Sequence, residues 1–249
     1  MVAKLVDDKS FLFIKFKDNK EHLLSLQKGT LYMNNGKYFK ELENDTGILG
    51  IGDKYELSQV INEISFRLIN SETQETVFVG EAAAASFSLN AHLAMPMFCL
   101  TQIDSTSLKI IKEYENSVDC VVNLGEDNIE KIIKDFGEYA LVISAGTFEE
   151  KLEMAIQEQG LYAYAGKVIY EDYGINSSER LKASYDNDPK HFFYKRMELA
   201  HQKEYRVILP DTQSEEPFIL NIGDLSDSSY LFETRELFSG NFVLNLSLK

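Results

Sequence analysis

Basic residues are scarce in this chain: 25 Lys and Arg stand against 40 Asp and Glu over 249 residues, a formal charge of −15. A protein that neutralises phosphates needs clustered Lys and Arg, so non-specific nucleic-acid binding is excluded as an expectation. Cysteine is scarcer still. Cys99 and Cys120 are the only two, both lie in apolar runs, and no Cys-x-x-Cys pair exists, so reduced buried thiols are expected. The four histidines, His22, His92, His191 and His201, form no His-x-x-x-His pair, and no metal site is expected from them. Tryptophan is absent, which excludes nothing. No stretch has the length of a signal peptide or of the roughly 20-residue run a membrane helix needs. The expectation is a cytoplasmic protein without membrane contact. Gly-x-Ser-x-Gly, a P-loop and a strand-borne Gly-x-Gly-x-x-Gly are all missing, so no cofactor is indicated.

What is present reads as one α+β domain spanning residues 1–249, with no internal repeat and no low-complexity linker. Strand-forming runs outnumber helical ones, which points to a mixed, mostly antiparallel sheet flanked by helices. The densest segment is His22–Glu56. Asn19 offers an N-cap for a helix over Lys20–Lys28, Gly29 stands where such a helix ends, Thr30–Met33 reads as a strand and Gly36–Glu43 as a second helix. A Gly-rich loop over Asp45–Asp53 follows. Alternation over Val60–Ile69 predicts a half-buried strand, and Asn70-Ser71-Glu72 turns it into a hairpin with Thr76–Gly80. Further strands are predicted at Phe11–Phe16, Met97–Ile103, Val118–Leu124, Tyr139–Ser144, Leu161–Tyr170, Glu204–Leu209, Phe218–Ile222 and Phe242–Leu248. Helices are predicted at Asp127–Phe136, at Phe148–Gln159 and from Pro189 to about His201, with a shorter one at Ser178–Ser184.

Two constellations stand out. Gly50-Ile51-Gly52-Asp53-Lys54-Tyr55-Glu56 ends in two acids that could do acid–base work or hold a cation, although solvated loop acids are the commoner case. Glu204 and Arg206 share one face of a late strand, as an exposed salt bridge or as the wall of a polar pocket. A candidate pocket is therefore drawn from His22, Tyr32, Tyr38, Asp53, Glu56, Glu204 and Arg206, on condition that the two halves meet across the sheet.

The order of these motifs is an early Phe-x-Lys-Phe strand, then Gly-Asp-x-x-Glu, a Met-Phe-Cys-Leu-Thr strand and a late Glu-Tyr-Arg-Val. It resembles an uncharacterised family of bacterial and phage proteins with an N-terminal Asp-x-x-Glu loop, a Cys-containing strand and a Glu-x-Glu-x-Arg strand. Gln202 stands where that family's first late acid would be. The resemblance implies a phage or prophage accessory protein that binds and inhibits a host or defence protein through its acidic surface. A second likeness is to the ADP-ribosyltransferase fold, with His22, Tyr38 and Glu204 in the site positions; it would imply an NAD-dependent transferase. A pocket that sequesters a nucleotide or signal molecule is the third reading.

Overall fold

The computed structural model describes residues 1–4, 9–47 and 50–247, and its architecture is α+β. In chain order the strands are β1 (Val2–Lys4), β2 (Leu12–Lys17), β3 (Thr30–Asn35), β4 (Gln59–Ile69), β5 (Thr76–Phe87), β6 (Pro96–Ile103), β7 (Leu108–Glu113) and β8 (Ser117–Val122). They continue with β9 (Tyr139–Ser144), β10 (Ala163–Lys167), β11 (Ile169–Glu171), β12 (Tyr194–Arg196), β13 (Glu204–Ile208), β14 (Phe218–Asn221), β15 (Ser229–Glu233) and β16 (Val243–Ser247). The helices are α1 (Lys20–Gln27), α2 (Gly36–Thr46), α3 (Asn90–Leu93), α4 (Glu126–Phe136), α5 (Ala145–Glu158), α6 (Ser178–Tyr185) and α7 (Thr234–Leu237).

The central sheet runs β1-β10-β13-β6-β2-β9-β15 and is antiparallel except for the β1–β10 pair. Its faces separate by the period of two that strand geometry imposes. Phe13, Leu100, Leu141, Ile143, Tyr205 and Val207 bury one face against Leu23 and Leu26 of α1 and Phe148, Leu152 and Ile156 of α5. Ile14, Phe16, Ile103, Ala140 and Val142 bury the other against Ile132 of α4.

One feature of the ladder positions everything that follows. β6 pairs with β13 from Met97 to Thr101, but on its other side it meets β2 only from Thr101 to Ile103 and β3 only at Pro96 and Met97. Among the described residues, Phe98, Cys99 and Leu100 therefore have no strand beside them on that side. β2 has turned away after Ile14 to follow β9 to its end at Lys17. The sheet is split.

Local chemistry explains several boundaries. Asn19 accepts from the Glu21 amide and Asn35 from the Tyr38 amide, each as an N-cap. Other expectations need correction. The helix predicted from Pro189 to His201 is two 3₁₀ segments, Pro189–Phe193 and Met197–Gln202, separated by β12. Pro189 does open a helical turn, but Tyr194–Arg196 is captured by β11 in a parallel pair that local sequence cannot announce. Gly125 rather than Asp127 precedes α4, and α5 begins at Ala145. Val60–Ile69 is not half-buried: from Ser65 outward both it and β5 are exposed apart from Gly80, Ala82 and Ala85, because their only strand partner is each other. Leu248 and positions 48 and 49 of the predicted loop lie outside the described residues.

Candidate functional site

The split between β2 and β6 opens into a cavity of about 490 Å³ lined by residues of both sheet faces. Its size falls within the roughly 300–1,000 Å³ of small-molecule sites. On the α1 side stand Lys15 and Lys17 of β2, Phe98 of β6, and the rim residue His22; on the far side stand Tyr32, Tyr38, Phe39, Glu56, Cys99, Lys195, Gln202 and Glu204.

The far wall is a closed ring of alternating charge. Arg206, fully buried, places Nε 2.8 Å from Glu204 and its terminal nitrogen 2.8 Å from Glu56 Oε1. Lys195 closes the ring at 2.6 Å from Glu204 and 3.9 Å from Glu56. Burial works to raise the Glu204 carboxyl, but Arg206 and Lys195 outweigh it and hold it well below the ordinary range. Burial likewise opposes the Lys195 ammonium, and Glu204 and Glu56 together lift it above its usual value.

Glu56 is the weak corner. Burial raises its carboxyl, only partly countered by Arg206 and Lys195. Although Arg206 lies within contact of Oε1, neither atom makes a properly directed hydrogen bond. A 3% exposed carboxylate thus lines the cavity, held there by ion pairing with Arg206 rather than by directed hydrogen bonds.

The Asp53–Glu56 turn is placed by glycine. A Cβ on Gly50 would lie 2.3 Å from the Asp135 carboxyl, and one on Gly52 would lie 2.6 Å from the Phe39 carbonyl oxygen. That close approach lets the Asp53 amide donate to Phe39 O at 3.0 Å. Asp53 is then 2.9 Å from Arg196, which also pairs with Glu43. Asp53, Glu56, Glu204 and Arg206 are therefore brought together, with Lys195 and Arg196 as the link. Of the seven candidates, His22, Tyr32, Tyr38, Glu56 and Glu204 line the cavity. Arg206 lies behind the two glutamates and Asp53 faces Arg196, away from the opening.

Lys15 is the residue that sequence reading missed. Its ammonium donates to Cys99 O at 2.6 Å, covering a carbonyl that the split leaves unpaired, and lies 4.5 Å from the centre of the Phe98 ring. Burial, with Lys17 two residues along, brings it down to about 8. Among the described residues no carboxylate pairs with Lys15 or Lys17, so the cavity holds two unneutralised cations in a chain of charge −15. Cys99 beside it is an inert thiol, pushed up to about 12 by burial and by Glu204.

The chain matches no protein-family model, no curated protein and no solved structure. The phage-type resemblance accordingly rests on its motifs alone. Among the described residues, no three His, Cys, Asp or Glu side chains are grouped to hold a metal, and no helix is long and apolar enough to cross a membrane.

Proposed function

We propose that this protein binds a small anionic, ring-bearing molecule of the nucleotide or nucleotide-like signal class in the split between β2 and β6. The observation that carries the reading is the pair of unneutralised lysines, Lys15 and Lys17, in a cavity with aromatic walls. An anion would accept from Lys15 and displace it from the Cys99 carbonyl. A planar ring would lie against Tyr38 and Phe39, on the Glu56 side of the sheet.

The test is calorimetry and thermal shift against a panel of nucleoside mono- and diphosphates, NAD included. A charge-assisted hydrogen bond contributes about 1.5–3 kcal/mol, so Lys15→Met is expected to weaken binding about 10- to 100-fold. The pH sign follows from the lysine. Its cationic form predominates below about 8, so affinity holds through neutrality and falls as pH rises through that value. Lys15→Met should flatten this fall. If no anion of the panel binds, or if the variant binds like the parent, the reading is lost.

The transferase reading has less support, because both oxygens of Glu204 are engaged, by Lys195 and Arg206, and neither is left to orient a ribose. The acidic exterior favours a different second reading, a phage or prophage accessory protein that docks on a basic face of a host defence protein and inhibits it. A stoichiometric host partner recovered at low salt and released at high salt would support it; recovery that ignores salt would count against an electrostatic interface.

A further inference from the structure

We infer that the β4–β5 hairpin joins two copies of this chain, by antiparallel pairing of β4 with β4 of a second copy about a two-fold axis at Ser65. Beyond its root the hairpin is a two-stranded ribbon, an arrangement that is marginal in water until a further strand or layer covers it. It exposes Phe66, Leu68, Val77, Phe78 and Val79, all but Phe66 at more than half of their full area. Patches of this kind mark association surfaces. Natural edge strands are commonly blunted by Lys or Pro, and Gln59–Phe87 contains neither.

Charge selects the occupant and the register. Two chains of charge −15 repel at long range, so a dimer needs local complementarity where they touch. β4 supplies it. With Ser65 opposite Ser65, Ile64 lies opposite Phe66 in both directions, and the Glu63 side chain, turned out of the strand by its positive φ, comes within reach of Arg67 of the second copy at both ends. Arg67 is the hairpin's only cation and has no ion-pair partner among the described residues. Glu63, exposed and at φ 55, stands out of the β4–β5 ladder and is equally free. Pairing through β5 offers no such match, because Thr76–Phe87 carries Glu81 and no Lys or Arg. This inference is independent of the cavity and of what it binds.

Sedimentation velocity on the full chain over a micromolar concentration series tests it. The parent should show a concentration-dependent dimer. Arg67→Glu and Glu63→Arg each set like charges opposite one another and should raise the dimer dissociation constant about tenfold or more. The double exchange Glu63→Arg/Arg67→Glu should restore the parent value. Both positions are exposed, and circular dichroism would verify that each variant keeps its fold. A parent that stays monomeric throughout overturns the inference and leaves the arm to a different protein. A dimer that Arg67→Glu does not weaken, or that the double exchange does not restore, overturns it as well.

Discussion

Arg206→Met is expected to lower stability by about 3–5 kcal/mol, the range for removing one partner from a buried ion pair. The loss comes from what is left behind. Glu204 keeps Lys195 at 2.6 Å, but Glu56 is left with the same lysine at 3.9 Å, so two buried carboxylates share one cation. The effect carries a pH signature. Burial already raises Glu56, and without the guanidinium it rises further above its unfolded value. The folded variant then holds a proton that the unfolded chain releases as pH climbs through the ordinary carboxylate range, so stability falls with rising pH across that window. The deficit relative to the parent should be smaller at pH 5 than at pH 7. Adding Glu56→Gln should recover part of it, since a neutral amide needs no counter-charge. Urea midpoints at the two pH values, read at constant slope, measure both effects. A deficit below about 1 kcal/mol, or no recovery in the double variant, would mean that the ring does not act as one unit.

The parts of this arrangement that sequence reveals are those decided by neighbours in the chain. Asn19 capping α1 and the common face of Glu204 and Arg206 both follow from side-chain chemistry within a few residues. The central strands also announce themselves, because a strand covered on both faces is apolar on both. The ring itself was half legible. Its glutamates and arginine sit in motifs, but Lys195 sits in Phe-Phe-Tyr-Lys-Arg, which reads as helix until β11 pairs with it. Lys15 was hidden for a different reason. A lysine inside a strand normally marks a solvated position, and nothing local shows that β2 parts from β6 one residue earlier. The exposed hairpin inverts the usual rule. Its alternation is that of a half-buried strand, yet from Ser65 outward nothing among the described residues packs on it.

Arg180→Ala is expected to cost about 2–4 kcal/mol, because it leaves the buried Val60 carbonyl without its donor and the Glu171 carboxylate, 3.3 Å away, without its cation. Arg180 is fully buried, donates to Val60 O at 3.0 Å and to Ile175 O at 2.9 Å, and lies 4.4 Å from the centre of the Tyr173 ring. Val60 is the second residue of β4, so this guanidinium ties the root of the hairpin to the α6 side of the body. Asn62 and Asn176 add a second tie, exchanging hydrogen bonds of 2.8 and 3.0 Å. Hydrogen exchange should show the loss concentrated in residues 59–87 and around Tyr173, with the central sheet less affected. Uniform loss of protection across the sheet would mean that the hairpin unfolds only with the whole and that Arg180 is not its anchor. Glu56 stands three residues before β4, and Glu56–Ser58 is pinned between the charge ring and the Arg180 clamp.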